Sequence, residues 1–337
     1  MAVFRTQDRA GGASEVSCPT ERAVRRGTAC VNTRDGATLA PYEGFPMFDR
    51  IRAFHRPTTV AQALRLFEAE RRRGGPGRWV AGGTDLVVQQ ERTLRWLVDL
   101  TCLPLGYVRR VRGGWAIGAT THMAEIEHSK AMKALADGIL AEAAGTCGSR
   151  QIRNMATIGG NLANASPACD LAPPLLALDA SVVIAGRGRR RTVPLDRFFR
   201  GVNRTALNGG LLVEITVPAP PRGKAAWSYQ KLGRLQSDIA VVNASAGIVL
   251  DARGVCTRAR IALGAVAPTP LRAQRAEALL VGRRLDRAAI DAAAEQAAAE
   301  AKPVTDVRGT AEYRRAMCRV LVSRALEECS HRAGRSL

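Results

Sequence analysis

Two glycine pairs, each placed after an apolar stretch, constrain this chain more than any other feature of its sequence. The first pair lies in the run Val80, Ala81, Gly82, Gly83, Thr84, Asp85 and Leu86. The second lies in the run Thr157, Ile158, Gly159, Gly160 and Asn161. Glycine allows positive φ and close backbone approach to a ligand, and successive exposed N–H groups form a concavity that binds anions such as a diphosphate. One such run fits a simple tight turn, but two in one chain predict a phosphate-bearing ligand.

The signatures of several other nucleotide and catalytic sites are missing from the sequence. Neither glycine run has the G-x-G-x-x-G pattern, and the chain contains no G-x-x-x-x-G-K-[ST] and no G-x-S-x-G. The four histidines lack metal-ligand spacing, and the eight cysteines form no C-x-x-C pair, which argues against zinc ribbons and ferredoxin-like clusters. We therefore predict no catalytic residue and no metal ligand, and we expect the chemistry to come from a bound cofactor.

The composition predicts a cytoplasmic protein of two or three domains. The chain has 337 residues, of which 46% are hydrophobic, and no stretch approaches the roughly 20 apolar residues of a membrane span. The N-terminus lacks the apolar core of a secretion signal. The net charge of +20 comes mostly from arginines that are spread through every segment, without interleaved aromatic residues. This pattern predicts a solvated basic surface, or one that attracts an acidic partner protein, and no nucleic-acid binding.

Two segments divide the chain. Residues 1–46 have no periodic apolar spacing and are rich in glycine, threonine and arginine. We interpret them as disordered, or as an over-extended start with Met47 as the true first residue. The proline-rich run at residues 218–221 is the best domain boundary, because consecutive prolines interrupt both helices and strand ladders.

The spacing of apolar residues predicts a mixture of helices and strands. Pro57 and the two threonines after it open a helix that carries Val60 and Phe67 on one face. Further helices are predicted at 130–144, 175–178, 273–280, 287–301 and 311–329, and strands at 78–81, 96–100, 107–111, 115–120, 181–185, 191–194, 211–217, 226–231, 239–250 and 259–267. The glycine-rich stretch 145–174 is predicted to be a long irregular loop, and loops of this length are usually functional.

At the two glycine runs the sequence resembles the FAD-binding medium subunit of the molybdenum hydroxylases, the family of CO dehydrogenase and xanthine dehydrogenase. Further similar motifs lie at residues 54–57, 151–154, 165–170, 229–231, 238–240, 262–270 and 312–315, so the resemblance covers about residues 47–332. It implies an α+β fold with a PCMH-type (vanillyl-alcohol-oxidase-like) two-part FAD-binding domain at 47–220, divided into about 47–105 and 106–220. A CO dehydrogenase flavoprotein-type C-terminal α+β domain follows at 224–332.

The resemblance also implies how the site residues contact FAD. Residues 80–86 would wrap the pyrophosphate, and residues 157–161 would approach the pyrophosphate and the isoalloxazine ring. Asp170 would hold a polar part of FAD, and Leu212 and Lys231 stand at positions of further flavin contacts. Lys231 could then favour the anionic reduced ring electrostatically.

Three positions carry separate expectations. Cys147 stands where relatives have an aromatic residue that covers a flavin or adenine ring, so no stacking contact is expected there. Valine at Gly82 or at Gly160 is expected to abolish flavin retention and to leave the fold largely intact, because a Cβ atom would block close approach of the ligand.

The resemblance further implies that the chain is one subunit of a larger enzyme. A large molybdopterin-binding subunit would oxidise an organic substrate, and a small 2Fe–2S subunit would pass electrons to this FAD, in a dimer of heterotrimers. NAD⁺, a quinone, a cytochrome or O₂ would be the terminal acceptor. The cysteine-rich insertion that holds a 4Fe–4S cluster in some relatives is missing, so FAD alone is expected. Two rival hypotheses are a stand-alone FAD-dependent oxidoreductase of the same cofactor fold and a basic binding module without enzymatic activity.

Overall fold

The computed structural model describes residues 50–186, 188–221 and 223–334. The predictions for residues 1–46 and for Met47 lie outside the described residues. Helices and strands both contribute throughout these ranges, as the predicted α+β class requires. Within the same ranges, no helix combines the length and the apolar composition needed to cross a membrane.

In the described part of the chain, the first layer is a parallel three-stranded sheet in the order β1–β3–β2. It contains β1 (Ala53–His55), β2 (Gly77–Val80) and β3 (Trp96–Asp99), with helices α1 (Val60–Arg73) and α2 (Thr84–Gln89). Helix α1 begins where predicted, because Thr59 Oγ1 accepts the N–H of Gln62 at 3.2 Å and so caps the helix. Phe67 of α1 packs edge-on against Trp96 and stacks on Trp79. These contacts fix β2, which leads directly into the first glycine run.

The second layer is an antiparallel sheet whose described strands run in the order β4–β5–β10–β6–β7. They are β4 (Val108–Val111), β5 (Gly114–Gly118), β6 (Ser181–Gly186), β7 (Arg189–Pro194) and β10 (Leu211–Pro218), while β8 (Phe199–Gly201) and β9 (Arg204–Thr205) pair separately. The strands predicted at 107–111 and 115–120 pair as β4 with β5, and those predicted at 181–185 and 191–194 pair as β6 with β7. Ile117 and Ile215 of this sheet share one buried core with Leu162 and Leu175 from the helices that follow β5.

Short helices connect β5 to β6, and they correct two predictions. They are α3 (Met123–His128), α4 (Lys130–Ala134), α5 (Ile139–Gly145), α6 (Arg150–Met155), α7 (Ile158–Asn164) and α8 (Ala172–Ala177). The single helix predicted at 130–144 is wrong, because Asp137 has a left-handed φ of 53° and interrupts it. The Asp137 carboxylate accepts the main-chain N–H of Trp227 at 2.7 Å. The irregular loop predicted at 145–174 is also wrong, since Ser149 and Thr157 cap α6 and α7 within it.

After residue 223 the described strands form an antiparallel sheet in the order β11–β12–β13–β14. The elements are β11 (Lys224–Leu232), β12 (Val242–Leu250), β13 (Cys256–Gly264), β14 (Leu271–Arg272), α9 (Gln274–Leu280), α10 (Arg287–Glu300) and α11 (Ala311–Arg332). The predicted strands and helices are confirmed, although the second strand begins at Val242 rather than at residue 239. Val242 and Ala244 face the three helices, whereas Trp227 and Tyr229 on the other face join the core of the second layer.

Candidate functional site

A cleft of about 350 Å³ opens between the loop after β2, helices α6 and α7, the loop after α7 and the β11–β12 loop. The predicted site residues that line it are Val80, Ala81, Gly82, Gly83, Thr84, Asp85, Leu86, Thr157, Gly160, Asn161 and Asp170. Four predicted residues do not line it, namely Ile158, Gly159, Leu212 and Lys231. The fold therefore brings the two glycine runs, which are far apart in sequence, to the walls of one cavity.

The first glycine run forms the turn between β2 and α2. Gly83 has a φ of 68°, in the left-handed region that favours glycine. Gly82 has no room for a side chain, because a Cβ atom there would overlap the carbonyl oxygen of Met155. The expectation that valine at position 82 would leave the fold intact is therefore wrong. Gly82 lets the first run pack against α6, and this packing builds one edge of the cleft.

The second glycine run begins helix α7, and only part of it faces the cleft. Thr157 Oγ1 accepts the N–H of Gly160 at 3.1 Å and caps the helix. The N–H groups of Ile158 and Gly159 donate to carbonyl oxygens just after β5, at 3.0 and 2.9 Å. Gly160 is exposed, and a Cβ atom there would meet only the Thr157 hydroxyl, at 3.0 Å. Ile158 and Gly159 thus anchor the run, whereas Gly160, which has no side chain, leaves open space beside the cleft.

Asp170, Leu212 and Lys231 occupy three different environments. Asp170 lines the cleft although the residue is only 6% exposed. Burial raises the pKa of its carboxyl group, and the Lys231 ammonium, 3.0 Å from Oδ1, opposes that shift. Lys231 lies behind Asp170, with a side chain that is 6% exposed. Leu212 is buried in the core of the second layer, on β10.

Trp79 is a cleft residue that the sequence analysis did not single out. It lines the cavity and stacks on Phe67, with ring centroids 4.0 Å apart and ring planes 13° from parallel. Its indole Nε1 is buried and has no hydrogen-bond partner among the described residues. A buried unpaired donor costs free energy. The sequence offered one signal that Trp79 lies at the site, namely its position in the strand that leads into the first glycine run.

Two cysteines, Cys147 and Cys169, line the cleft. Burial and the nearby Asp170 carboxylate raise the pKa of Cys147 to about 12, so its thiol stays protonated at neutral pH. The sulfur of Cys169 lies 2.7 Å from Oδ1 of Asn161. Cys169, which the sequence analysis did not assign to the site, therefore fixes the side chain of a predicted site residue.

The chemistry of the cleft wall suits a polar dinucleotide. The backbone of the first glycine run borders the cleft, and the Asp170 carboxylate offers an acceptor for a hydroxyl or N–H group. Within the described ranges, no group of three or more His, Cys, Asp and Glu side chains could hold a metal ion. The cleft residues can therefore bind and orient an organic cofactor that supplies the reactive group itself.

Two family matches agree with this geometry. Residues 47–220 match the FAD binding domain in molybdopterin dehydrogenase. Residues 227–329 match the CO dehydrogenase flavoprotein C-terminal domain. Together the two matches cover both glycine runs and most of the C-terminal sheet.

Several relatives align along nearly their whole length. The chain is 36% identical over 293 residues to the alpha subunit of the 6-hydroxypseudooxynicotine dehydrogenase complex of Paenarthrobacter nicotinovorans, covering 86% of this chain and 96% of that subunit. It is 31% identical to the xanthine dehydrogenase FAD-binding subunit of Escherichia coli O157:H7, covering 86% and 100% of the two chains. A chain in the structure of CO dehydrogenase from Hydrogenophaga pseudoflava matches with a TM-score of 0.79 at 36% identity, covering 84% of this chain and 98% of that chain.

The fold, the cleft and these matches define the class of this protein, a flavoprotein subunit of a multi-subunit oxidoreductase. More narrowly, the chain belongs to the FAD-binding subunits of the molybdenum hydroxylase family, which includes CO dehydrogenase and xanthine dehydrogenase. The family, the fold class and the FAD cofactor predicted from the sequence are confirmed.

Proposed function

We propose that this chain is the electron-transfer subunit of a molybdopterin-dependent hydroxylase or dehydrogenase. It receives electrons from the 2Fe–2S clusters of a small partner subunit and delivers them to a terminal acceptor. A large molybdopterin-binding subunit oxidises the organic substrate. Support comes from relatives whose names describe a medium chain, an FAD-binding subunit and a subunit of a complex.

The observation that carries this proposal is the placement of both glycine runs on one cleft. In the proposed site, backbone N–H groups of the first run hold the diphosphate, and the absence of a side chain at Gly160 lets the cofactor approach the second run closely. Asp170 accepts from a hydroxyl or N–H group of the cofactor. When bound, FAD supplies the redox chemistry. The residues of this chain bind and orient it and shield it from water, and the relay requires none of them to act as an acid or a base.

Three further features of this function stay predictions. They are the division into domains at 47–220 and 224–332, the assembly as a dimer of heterotrimers, and the cytoplasmic location. The mass of the purified complex in solution, measured by light scattering, tests the assembly directly. A mass equal to one copy of each subunit would contradict the dimer of heterotrimers and would leave the relay itself unaffected.

The relay is tested by anaerobic reduction of the flavin by its partner. The small subunit of the complex is reduced, freed from excess reductant and mixed with FAD-loaded chain, and the flavin absorbance is followed. We expect rapid bleaching with the reduced small subunit and none with the same subunit after reoxidation. No bleaching by the reduced partner would contradict the relay. Bleaching of the isolated chain by a small organic substrate would favour a stand-alone oxidoreductase instead.

A further inference from the structure

A single buried ammonium group joins the C-terminal sheet to two loops that line the cleft. Lys231 Nζ, from β11, donates to the backbone oxygen of Thr146 at 2.7 Å and lies 3.0 Å from Asp170 Oδ1. Thr146 immediately precedes Cys147, which lines the cleft on one side, and Asp170 lines it on another. Because the Lys231 side chain is only 6% exposed, these protein partners take the place of water around its charge.

Two more side chains of the same sheet face reach Asp170. Tyr229 lies two residues before Lys231 and so points to the same side of β11, and Asn243 is the cross-strand partner of Lys231 on β12. The Tyr229 hydroxyl donates to Asp170 Oδ1 at 3.4 Å, and Asn243 Nδ2 donates to the same oxygen at 3.5 Å. Both side chains are buried. These bonds are long, so the Lys231 contact is the strongest of the three.

The backbone of the sheet supports the same loop. Gly264 stands opposite Asn243 on β13, and a Cβ atom there would overlap the Asn243 amide oxygen. The next residue, Ala265, donates its N–H to the carbonyl of Pro167 at 2.7 Å. Strands β11 and β12 and the end of β13 therefore all hold the loop that carries Asp170.

Lys231 is poorly placed to act on a cofactor by itself. It does not line the cleft, and its ammonium is directed to Asp170 and Thr146. The Asp170 carboxylate therefore stands between this ammonium and the cavity. An adjacent positive and negative charge largely cancel at a distance, so the pair delivers little net positive field to the ligand.

We propose that Lys231, Tyr229 and Asn243 are positioning residues, which hold Asp170 at the cleft wall so that its carboxylate can bind FAD. Lys231 influences the flavin through Asp170, and not through a contact of its own charge with the ring. The C-terminal sheet thereby sets the geometry of a cofactor site whose glycine runs belong to the preceding layers. This inference rests on the proposed binding of FAD in the cleft.

A double-mutant cycle tests the inference. The FAD dissociation constant of the apo chain is measured for the wild type, Lys231→Met, Asp170→Asn and the double variant. We expect each single change to weaken binding by about tenfold or more, because each leaves one member of a buried pair without its partner. The double variant should lie within about threefold of the weaker single variant, since coupled residues are non-additive. Effects that multiply in the double variant would overturn the inference.

The reduction potential of FAD at saturating concentration supplies a readout that a loss of packing alone would not move. If Lys231 acts through Asp170, Lys231→Met leaves the potential unchanged in the Asp170→Asn background. A shift of equal size in both backgrounds would show that the ammonium acts on the ring directly. Should Lys231→Met fail to fold, Tyr229→Phe decides, because it removes only a hydroxyl group and should weaken FAD binding in the wild-type background alone.

A control variant separates this test from the proposed function. Lys224 lies on the same strand but is exposed, so Lys224→Met should bind FAD like the wild type. A wild-type chain that binds no FAD would contradict the proposed function. A wild type that binds FAD, together with unchanged binding in both Lys231→Met and Asp170→Asn, would contradict only the positioning role.

Discussion

A single methyl group at position 160 is expected to weaken FAD binding without weakening the protein. Gly160 lies in the first turn of α7 and lines the cleft. Beyond its chain neighbours and the backbone of its own helix, a Cβ atom there would approach only the Thr157 hydroxyl within 4 Å, at 3.0 Å. Gly160→Ala therefore places its methyl group in space that the ligand needs. Replacing glycine by alanine in a helix also favours the folded state by up to about 1 kcal/mol, which offsets the tight Thr157 contact.

The size of the effect follows from the cost of crowding a packed contact. Inserting a methyl group into a close-fitting site costs about 1–3 kcal/mol, and about 1.4 kcal/mol corresponds to a tenfold change in dissociation constant. We therefore expect Gly160→Ala to raise the dissociation constant for FAD by roughly 5- to 150-fold. Calorimetric titration of the apo protein with FAD measures this change, and thermal unfolding of the same apo protein measures stability.

Gly82→Ala is the matched comparison, because it changes the other glycine run. Its Cβ atom would overlap the backbone oxygen of Met155, which cannot move without shifting α6. This variant should lower the melting temperature of the apo protein, whereas Gly160→Ala should not. Unchanged FAD affinity in Gly160→Ala would refute the assignment of the second run to the cofactor. A fall in apo stability equal to that of Gly82→Ala would show that position 160 is structural.

Three further outcomes are expected. Because the pKa of Cys147 is raised to about 12, iodoacetamide at neutral pH should label exposed Cys102 much faster than Cys147. Peptide mass mapping measures the two labelling rates, and comparable rates would contradict the raised pKa of Cys147. Trp79→Phe keeps an aromatic ring for stacking and removes a buried N–H that is not exposed to the cleft, so FAD affinity in a titration should fall by less than about twofold, less than the loss of one hydrogen bond. A larger loss would show that the indole N–H contacts FAD. Partial burial would raise the pKa of Asp306, but the Arg308 N–H and the Arg314 guanidinium lower it overall from its ordinary value of 3.8. Asp306 therefore stabilises the fold above pH 3.8, and its contribution is lost as the pH falls through the lower folded-state pKa. Denaturant unfolding of Asp306→Asn should show a deficit at pH 7 that shrinks at acidic pH, and a deficit independent of pH would contradict this.

Local signals explain the parts of the fold that the sequence predicted well. Thr59 caps α1, and the spacing of Val60 and Phe67 marks its buried face over four turns. Such a long helix carries enough periodic positions to be recognised. Helices α6 and α7 have capping residues too, Ser149 and Thr157. These two helices are too short to show a helical period of apolar residues, so the sequence of residues 145–174 was interpreted as a glycine-rich loop.

Long-range contacts decided the features that the sequence did not predict. The helix predicted at 130–144 breaks because Asp137 accepts a hydrogen bond from Trp227, which lies 90 residues later in the chain. Gly82 looked like a ligand-binding glycine, but the atom that excludes its side chain belongs to Met155. No local pattern at Asp137 or Gly82 reveals these distant partners. The resemblance likewise placed Lys231 in the flavin region without showing that its ammonium turns to Asp170.

The charge of the chain and the charge of its cleft differ in sign, and this difference bears on how a diphosphate can be held. The whole chain has a net charge of +20, yet among the described residues that line the cleft the only cation is Arg78. Its guanidinium already pairs with Glu91 at 2.8 Å, while Asp85, Asp170 and Asp238 add carboxyl groups to the wall. Burial raises the pKa of Asp85 above its ordinary value. Recognition of the diphosphate is therefore left mainly to backbone N–H groups of the first glycine run, and the arginine-rich outer surface can act at longer range on the charge of a partner.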